Sequence, residues 1–287
     1  MTTERTHDPM LWSTVAIALL VATTAVAGMY WPATYARETS LSRAGAYASD
    51  VVDLFLVVPV LLISGITAYR GSVPARLVWL GTQGYLLYNF VLYAFGVHFN
   101  ALFFVYCATL GVCMYATVFS LPSLPVQQIA RTYESHAPRK TIAIVLIMLA
   151  ISTTAFDVRD DIAALAAGTV PQVVIAANQP VNFVHVLDLV FLVPALCATA
   201  VLLVRRRASG YVLAPAFLTL LAIMSLELTS IMTVLGRRGL GMSMPMIISF
   251  AAFSVGLTVL LWFYFSSGRR AVMGPGPHQR TEASLSD

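Results

Sequence analysis

The chain has 287 residues, of which 59% are hydrophobic and only 10% are charged, and its formal net charge is +4. A soluble globular domain carries about 25% charged residues, so this composition excludes a water-soluble protein and indicates an integral membrane protein. The basic residues lie at the ends of apolar runs, and no basic, aromatic-rich module is present to bind nucleic acid.

Apolar runs long enough to cross a bilayer, which takes about 20 residues, occur eight times along the chain. They predict eight transmembrane helices, at residues 11–31, 51–69, 77–97, 101–121, 141–157, 183–204, 211–235 and 245–267. The first run is longer than the roughly 7–15 apolar residues of a signal peptide, so we interpret it as a retained helix. The predicted fold class is therefore an all-α, polytopic membrane protein.

Three of the segments outside the predicted helices lie at the two ends of the chain and near its middle. Residues 1–10 form an N-terminal extension, residues 122–140 a connector and residues 268–287 a tail rich in Pro, Gly and Ser that we expect to be disordered. The connector reads PSLPVQQIARTYESHAPRK. Its prolines and mixed charges favour a plain connector over an amphipathic helix or a docking element.

The placement of the basic residues, sixteen arginines and Lys140, predicts the orientation. With a cytoplasmic N-terminus, twelve of the seventeen lie on the cytoplasmic side and five on the outside, as the positive-inside rule requires. We therefore predict a plasma-membrane protein with both termini in the cytoplasm, where residues 1–10, 122–140 and 268–287 also lie. The preference for arginine over lysine indicates a GC-rich bacterial genome.

One pattern of seven residues occurs twice. DLFLVVP begins at Asp53 and DLVFLVP begins at Asp188, and an arginine follows each proline at the same distance. The pattern predicts a tandem duplication of a four-helix unit, residues 11–121 and residues 141–267. Because each unit has an even number of spans, the copies would keep the same orientation, related by a pseudo-two-fold axis along the membrane normal.

Polar residues gather in the outer half of the predicted bundle. A carboxylate inside a bilayer costs about 2.5–3.5 kcal/mol and normally faces the bundle interior or a wet cavity. We predict an outward-facing binding site formed by Asp53, Tyr88, Asn89, His98, His185, Asp188 and Glu227. For Asp53 and Asp188 a second interpretation stays open, in which each carboxylate caps a helix N-terminus and accepts orphan backbone N–H groups.

The sequence contains no signature of a resident metal or cofactor. No CxxC, HxxxH or HExxH spacing occurs, which leaves no strong zinc motif. No histidine lies deep in a predicted span to hold haem, and Lys140 lies at a helix end, unsuited to a retinal Schiff base. There is also no Walker loop and no G-x-S-x-G. We expect neither a metal nor a cofactor.

The sequence leaves three functions open. The leading hypothesis is transporter-like handling of a small molecule or ion, because internal repeats and interrupted helices near acidic residues are typical of secondary transporters. The first alternative is a membrane-embedded enzyme that acts on a lipid or isoprenoid headgroup at the outer leaflet, with Asp and His as acid and base. The second is a non-catalytic membrane subunit of a partner complex. The expected partners are the lipid bilayer and a small-molecule, ion or lipid ligand, and no nucleic acid.

Overall fold

The computed structural model describes residues 9–240 and 243–273, and within these ranges the chain is helical and contains no strand. The helices are α1 (Pro9–Tyr30), α2 (Ser40–Tyr69), α3 (Val73–Val91, continued by the π-helical segment Leu92–Gly96), α4 (Phe103–Ser120), α5 (Val126–Tyr133), α6 (Arg139–Ala166), α7 (Gln172–Ala177), α8 (Phe183–Val204), α9 (Ala208–Arg237) and α10 (Met244–Met273). The all-α prediction is confirmed for these residues. Most of the predicted disordered tail lies outside the described residues.

Seven helices of the described chain are long and apolar enough to cross a membrane, and this set is compatible with a multi-pass membrane protein. The long helix outside this set is α3. Its buried face carries Thr82, Gln83 and Asn89, and these polar side chains lower its hydropathy. With its π-helical segment it is about 36 Å long at 1.5 Å per residue, which exceeds the roughly 30 Å of a hydrocarbon core. Eight spans stay a prediction.

Two predicted helix boundaries are wrong, and both errors concern acidic residues. The helix predicted at 51–69 begins at Ser40, where Thr39 accepts a hydrogen bond from the N–H of Ser42. The helix predicted at 141–157 continues to Ala166. Hydropathy ended both helices next to an aspartate, because it cannot distinguish a carboxyl that faces water from one that packs among neighbouring helices.

The segment 122–140 is not a plain connector, because it contains the amphipathic helix α5. Ile129, Ala130 and Tyr133 are buried, and α5 packs against α9 and α10. The ring of Tyr133 stacks on Tyr264, with 4.5 Å between their centroids. The apolar face of α5 therefore lies on the bundle.

Asp53 and Asp188 each begin a five-residue π-helical turn, Asp53–Val57 and Asp188–Leu192. The proline that follows each turn explains it, since proline has no N–H to donate and its ring crowds the carbonyl four residues earlier. The wider turn lets the N–H of Val58 bond to the carbonyl of Asp53, and the same bond forms in the second turn. Such turns are frequent at functional sites.

Two further positions, which are separated along the chain by the same number of residues as Asp53 and Asp188, share an unusual backbone conformation. Gly71 and Arg206 both have positive φ, at 94° and 53°, and α3 and α9 begin immediately after these turns. The helix packing in the two halves also corresponds. In the first half α1 packs on α2, α2 on α3, and α3 on α4. In the second half α6 packs on α8, α8 on α9, and α9 on α10. One pair differs. α1 packs against α4, whereas α6 and α10 form no comparable packed pair in the described chain.

Helices α3 and α9 pack against each other at the centre of the bundle. Their close approach requires Gly81, since a Cβ there would lie 2.4 Å from the carbonyl oxygen of Ala216. On one side of this crossing, buried apolar residues such as Leu77, Trp79 and Val212 fill the bundle. We call the other end the polar end; it carries the connecting segments 31–39, 97–102 and 167–182.

A candidate ligand-binding cavity

A cavity of about 580 Å³ lies toward the polar end, among α2, α3, α6, α8, α9 and α10. This volume falls within the roughly 300–1,000 Å³ of small-molecule sites. Five of the seven predicted site residues line it: Tyr88, Asn89, His185, Asp188 and Glu227. Asp53 and His98 do not line it, but each is joined to a lining residue by a hydrogen bond.

The lining of the cavity is acidic. It contains the carboxyl groups of Glu38, Asp157, Asp160, Asp188 and Glu227, and no lysine or arginine. All but Asp160 are buried, with at most 8% of the residue exposed. Asp160 pairs with Arg159 at 3.8 Å, but both side chains are largely exposed, so this pair adds little. Buried carboxylates need compensation, which a bound proton or a cationic ligand supplies.

Asp188 projects from the second turn of α8 toward α3. The hydroxyl of Tyr88 donates a hydrogen bond of 2.9 Å to its Oδ1. Asp188 is not the helix cap, because Asn182 holds that position and its side chain accepts from the N–H groups of Val184 and His185. The cap interpretation of Asp188 is therefore wrong, and its carboxyl joins two helices at the cavity wall.

His185 lies between two carboxyls of α6. Its Nδ1 is 2.9 Å from Oδ2 of Asp161, and its Nε2 is 3.7 Å from Oδ1 of Asp157. Oδ2 of Asp157 is buried and has no hydrogen-bond partner among the described residues. Neither aspartate belongs to the predicted site, although their spacing of four places them on one face of a helix.

Glu227 projects from the middle of α9 into the cavity and is 8% exposed. The hydroxyls of Ser49 on α2 and Tyr85 on α3 lie within hydrogen-bonding reach of its carboxyl. One turn further along α9, the Ser230 hydroxyl donates to the carbonyl of Ala48 at 3.1 Å. Glu227 thus lies at the junction of three helices, near two hydroxyl groups and with no basic partner among the described residues.

Asp53 is 1% exposed and lies directly behind the cavity wall. Its two carboxyl oxygens accept 2.9 Å hydrogen bonds from the hydroxyl of Tyr85 and the amide of Asn89. Asn89 itself lines the cavity. The cap interpretation of Asp53 is also wrong, because α2 begins at Ser40 and is capped by Thr39.

Asp50 is a fully buried acid that the predicted site did not include. Its two oxygens accept 2.8 Å hydrogen bonds from the hydroxyls of Tyr35 and Tyr93. Burial, together with the Asp50 carboxyl, raises the pKa of Tyr35 well above its usual value, so Tyr35 stays a donor. The neighbouring α1 makes room for this cluster with Gly28, where a Cβ would lie 1.8 Å from Oδ2 of Asp50.

His98 holds Glu38 at the edge of the cavity. Oε1 of Glu38 accepts a 2.7 Å hydrogen bond from the N–H of His98 and lies 3.0 Å from its Nδ1. The same two connecting segments are joined again by Asn100, whose amide donates to the carbonyl of Thr34 at 3.0 Å. His98 therefore positions a lining residue and does not line the cavity itself.

No group of three or more His, Cys, Asp or Glu side chains within residues 9–240 and 243–273 is arranged to hold a metal ion. The carboxyls are instead distributed around the cavity, each with hydroxyl, amide or imidazole neighbours. This arrangement suits an organic ligand that contacts several of them at once.

We compared the chain with protein-family models, with curated proteins and with solved structures, and none of the three comparisons finds a match.

Proposed function

We propose that the protein is a transporter-like, multi-pass protein of the plasma membrane that binds a small organic cation in the acidic cavity. The observation that carries this proposal is a lining of five carboxyl residues without lysine or arginine. Carboxylates attract a cation, and the rings of Tyr88, Phe156 and Phe183 in the same lining add cation–π contacts. An anionic group such as a phosphate would be repelled.

The position of the cavity at one end of the bundle supports a transporter-like function. The cavity lies toward the polar end, while Leu77, Trp79 and Val212 fill the bundle at the other end. Secondary transporters bind their substrate between repeats, near interrupted helices, and alternate between two such one-sided states. The π-helical turns at Asp53 and Asp188 interrupt α2 and α8 beside the cavity.

We propose further that the chain has eight spans arranged as a tandem duplication, with both termini in the cytoplasm. The two π-helical turns, the positive φ angles of Gly71 and Arg206, and the corresponding helix packing support the duplication. The length and central position of α3 support an eighth span. The excess of arginine at the end opposite the cavity supports the orientation.

Uptake of radiolabelled tetramethylammonium into proteoliposomes tests the proposed function, because this permanently charged ion crosses lipid poorly unaided. The wild type is expected to show saturable uptake. The double variant Asp53→Asn, Asp188→Asn removes two carboxyls at the cavity wall and is expected to lower uptake at least about tenfold. Glu134→Gln is the matched control, since the Glu134 side chain is 42% exposed and does not line the cavity. Unchanged uptake by a folded double variant would contradict the proposal.

A membrane-embedded enzyme that acts on a lipid headgroup is the second candidate, and His185 favours it. A histidine held by one carboxylate and close to a second is an arrangement of a general base, and Asp161 and Asp157 provide these carboxyls. Mass spectrometry of nanodisc lipids incubated with the wild type and with His185→Ala tests it: headgroup turnover by the wild type alone is expected. No observation favours the hypothesis of a non-catalytic partner subunit, because both repeated aspartates bond to other helices and do not merely cap their own.

A further inference from the structure

Helices α6 and α10 border the cavity without packing against each other. Leu149 and Thr153 of α6 and Phe250 and Phe253 of α10 all line it. In the first half of the chain the corresponding helices α1 and α4 pack together, whereas the described parts of α6 and α10 form no comparable pair. The cavity wall is therefore incomplete between these two helices.

A second cavity, of about 300 Å³, lies between the same two helices at the opposite end. Pro138 and Thr141 line it from the α6 side, and Leu260 and Phe263 line it from α10. Thr141 is two helical turns from Leu149, about 12 Å at 1.5 Å per residue. One interhelical boundary thus carries both cavities.

Two residues lie along the helices between the linings of the two cavities. On α6, Val145 lies on the same helix face as Thr141 and Leu149. On α10, Gly256 lies on the face shared by Phe253 and Leu260. A Cβ built on Gly256 meets no atom within 4 Å, so the space in front of this glycine is open. We call the boundary between α6 and α10, which has a cavity at each end, the groove; the exposed Gly256 lies on its α10 side.

We propose that this groove holds the apolar chain of an amphiphilic ligand whose cationic head lies in the acidic cavity. The inference rests on the proposed function and deepens it by naming the ligand class. Both helices are apolar enough to cross a membrane, so the groove faces the bilayer. From Thr141 to Thr153 it measures about 18 Å, comparable to one leaflet of a roughly 30 Å hydrocarbon core.

The two parts of the ligand are recognised by different interactions. A lipid chain gains no hydrophobic free energy when it moves from the bilayer into an apolar groove, so the groove acts through close packing. The head is selected by charge, because the cavity has carboxyls and no lysine or arginine. A single-chain quaternary or primary amine meets both requirements, and a single-chain phosphate meets only one.

A competition experiment on the full chain in nanodiscs tests the groove. Radiolabelled tetramethylammonium reports on the cavity, and dodecyltrimethylammonium, with the same head and a twelve-carbon chain, competes with it. Empty nanodiscs give the blank for chain partitioning. The wild type is expected to bind the long-chain ion at least about tenfold more tightly than tetramethylammonium. Dodecanoate, with the same chain length and a negative head, is expected not to compete.

Gly256→Leu fills the groove with a side chain that meets no neighbouring atom at its Cβ. It is expected to weaken dodecyltrimethylammonium binding about tenfold and to leave tetramethylammonium binding unchanged. Gly111→Leu is the matched control, because Gly111 on α4 also has no atom within 4 Å of its built Cβ. It is expected to change neither affinity.

Each outcome has a distinct meaning. Tetramethylammonium binding together with unchanged dodecyltrimethylammonium affinity in Gly256→Leu would overturn the groove and leave the proposed function standing. Competition by dodecanoate as strong as that by the long-chain cation would overturn the charge selection. Failure of tetramethylammonium to bind the wild type would overturn the proposed function, and the groove proposal with it.

Discussion

Gly28→Ala should destabilise the fold by displacing Asp50. The added Cβ would lie 1.8 Å from Oδ2 of Asp50 and 2.7 Å from the hydroxyl oxygen of Tyr35. The carboxyl cannot stay in place, so its bonds to Tyr35 and Tyr93, both 2.8 Å, are strained or lost. The fully buried position of Asp50 gives water no room to replace them.

The magnitude follows from these two bonds. Leaving a buried polar group unsatisfied costs about 1–3 kcal/mol, so losing one bond and weakening the other by about 1 kcal/mol costs about 2–4 kcal/mol. Replacing glycine with alanine within a helix returns about 1 kcal/mol. The free energy of unfolding should therefore fall by about 1–3 kcal/mol, which is visible as a lower thermal unfolding temperature of the detergent-solubilised protein.

Two further variants separate the clash from a general effect of the substitution. Gly111→Ala adds a Cβ that meets no atom within 4 Å, so it should raise the unfolding temperature slightly or leave it unchanged. Asp50→Ala removes the atoms that Gly28→Ala would strike, so the two effects should be strongly non-additive. Gly28→Ala unfolding at or above the wild-type temperature would refute the contact between α1 and Asp50.

Three more predictions concern packing, hydrogen bonding and topology. Gly81→Ala places a Cβ 2.4 Å from the carbonyl oxygen of Ala216. It should separate α3 from α9 and lower the unfolding temperature more than Gly28→Ala does. An unfolding temperature equal to or higher than that of the wild type would refute the contact. Tyr93→Phe removes one buried donor and should cost about 1–3 kcal/mol of unfolding free energy, with no loss expected if the hydroxyl is unbonded. Single cysteines at Arg70 and Phe99, in a cysteine-free background, should react with a membrane-impermeant maleimide from opposite sides; labelling from the same side would contradict an eighth span at α3.

Part of the candidate site followed from one sequence regularity. The equal spacing of Asp53 and Asp188 to their prolines predicted related environments, and both residues begin π-helical turns beside the cavity. The pattern carried this information because a proline forces a local change in helix geometry wherever it occurs. It carried nothing about the partners, since Tyr88 and Asn89 reach the aspartates only through tertiary packing.

The residues missing from the predicted site were missed for one physical reason. Asp50 and Asp157 lie where hydropathy falls, so the sequence placed helix ends there, whereas the helices continue from Ser40 and to Ala166. A buried carboxyl and an exposed one have the same hydropathy. Tyr35, one of the two tyrosines that donate to Asp50, lies in the connecting segment 31–39. The path of this segment over the bundle depends on contacts that no local pattern records.

The measurement that tests the central claim most directly is equilibrium binding of radiolabelled tetramethylammonium to the purified protein at neutral pH. Wild type is compared with Asp188→Asn and Glu227→Gln, which keep the shape of two cavity-lining side chains and remove their charge. Saturable binding to the wild type, weakened at least about tenfold in each variant, is the predicted result. Binding that is absent, or equally strong in both folded variants, would contradict a cation site in the acidic cavity.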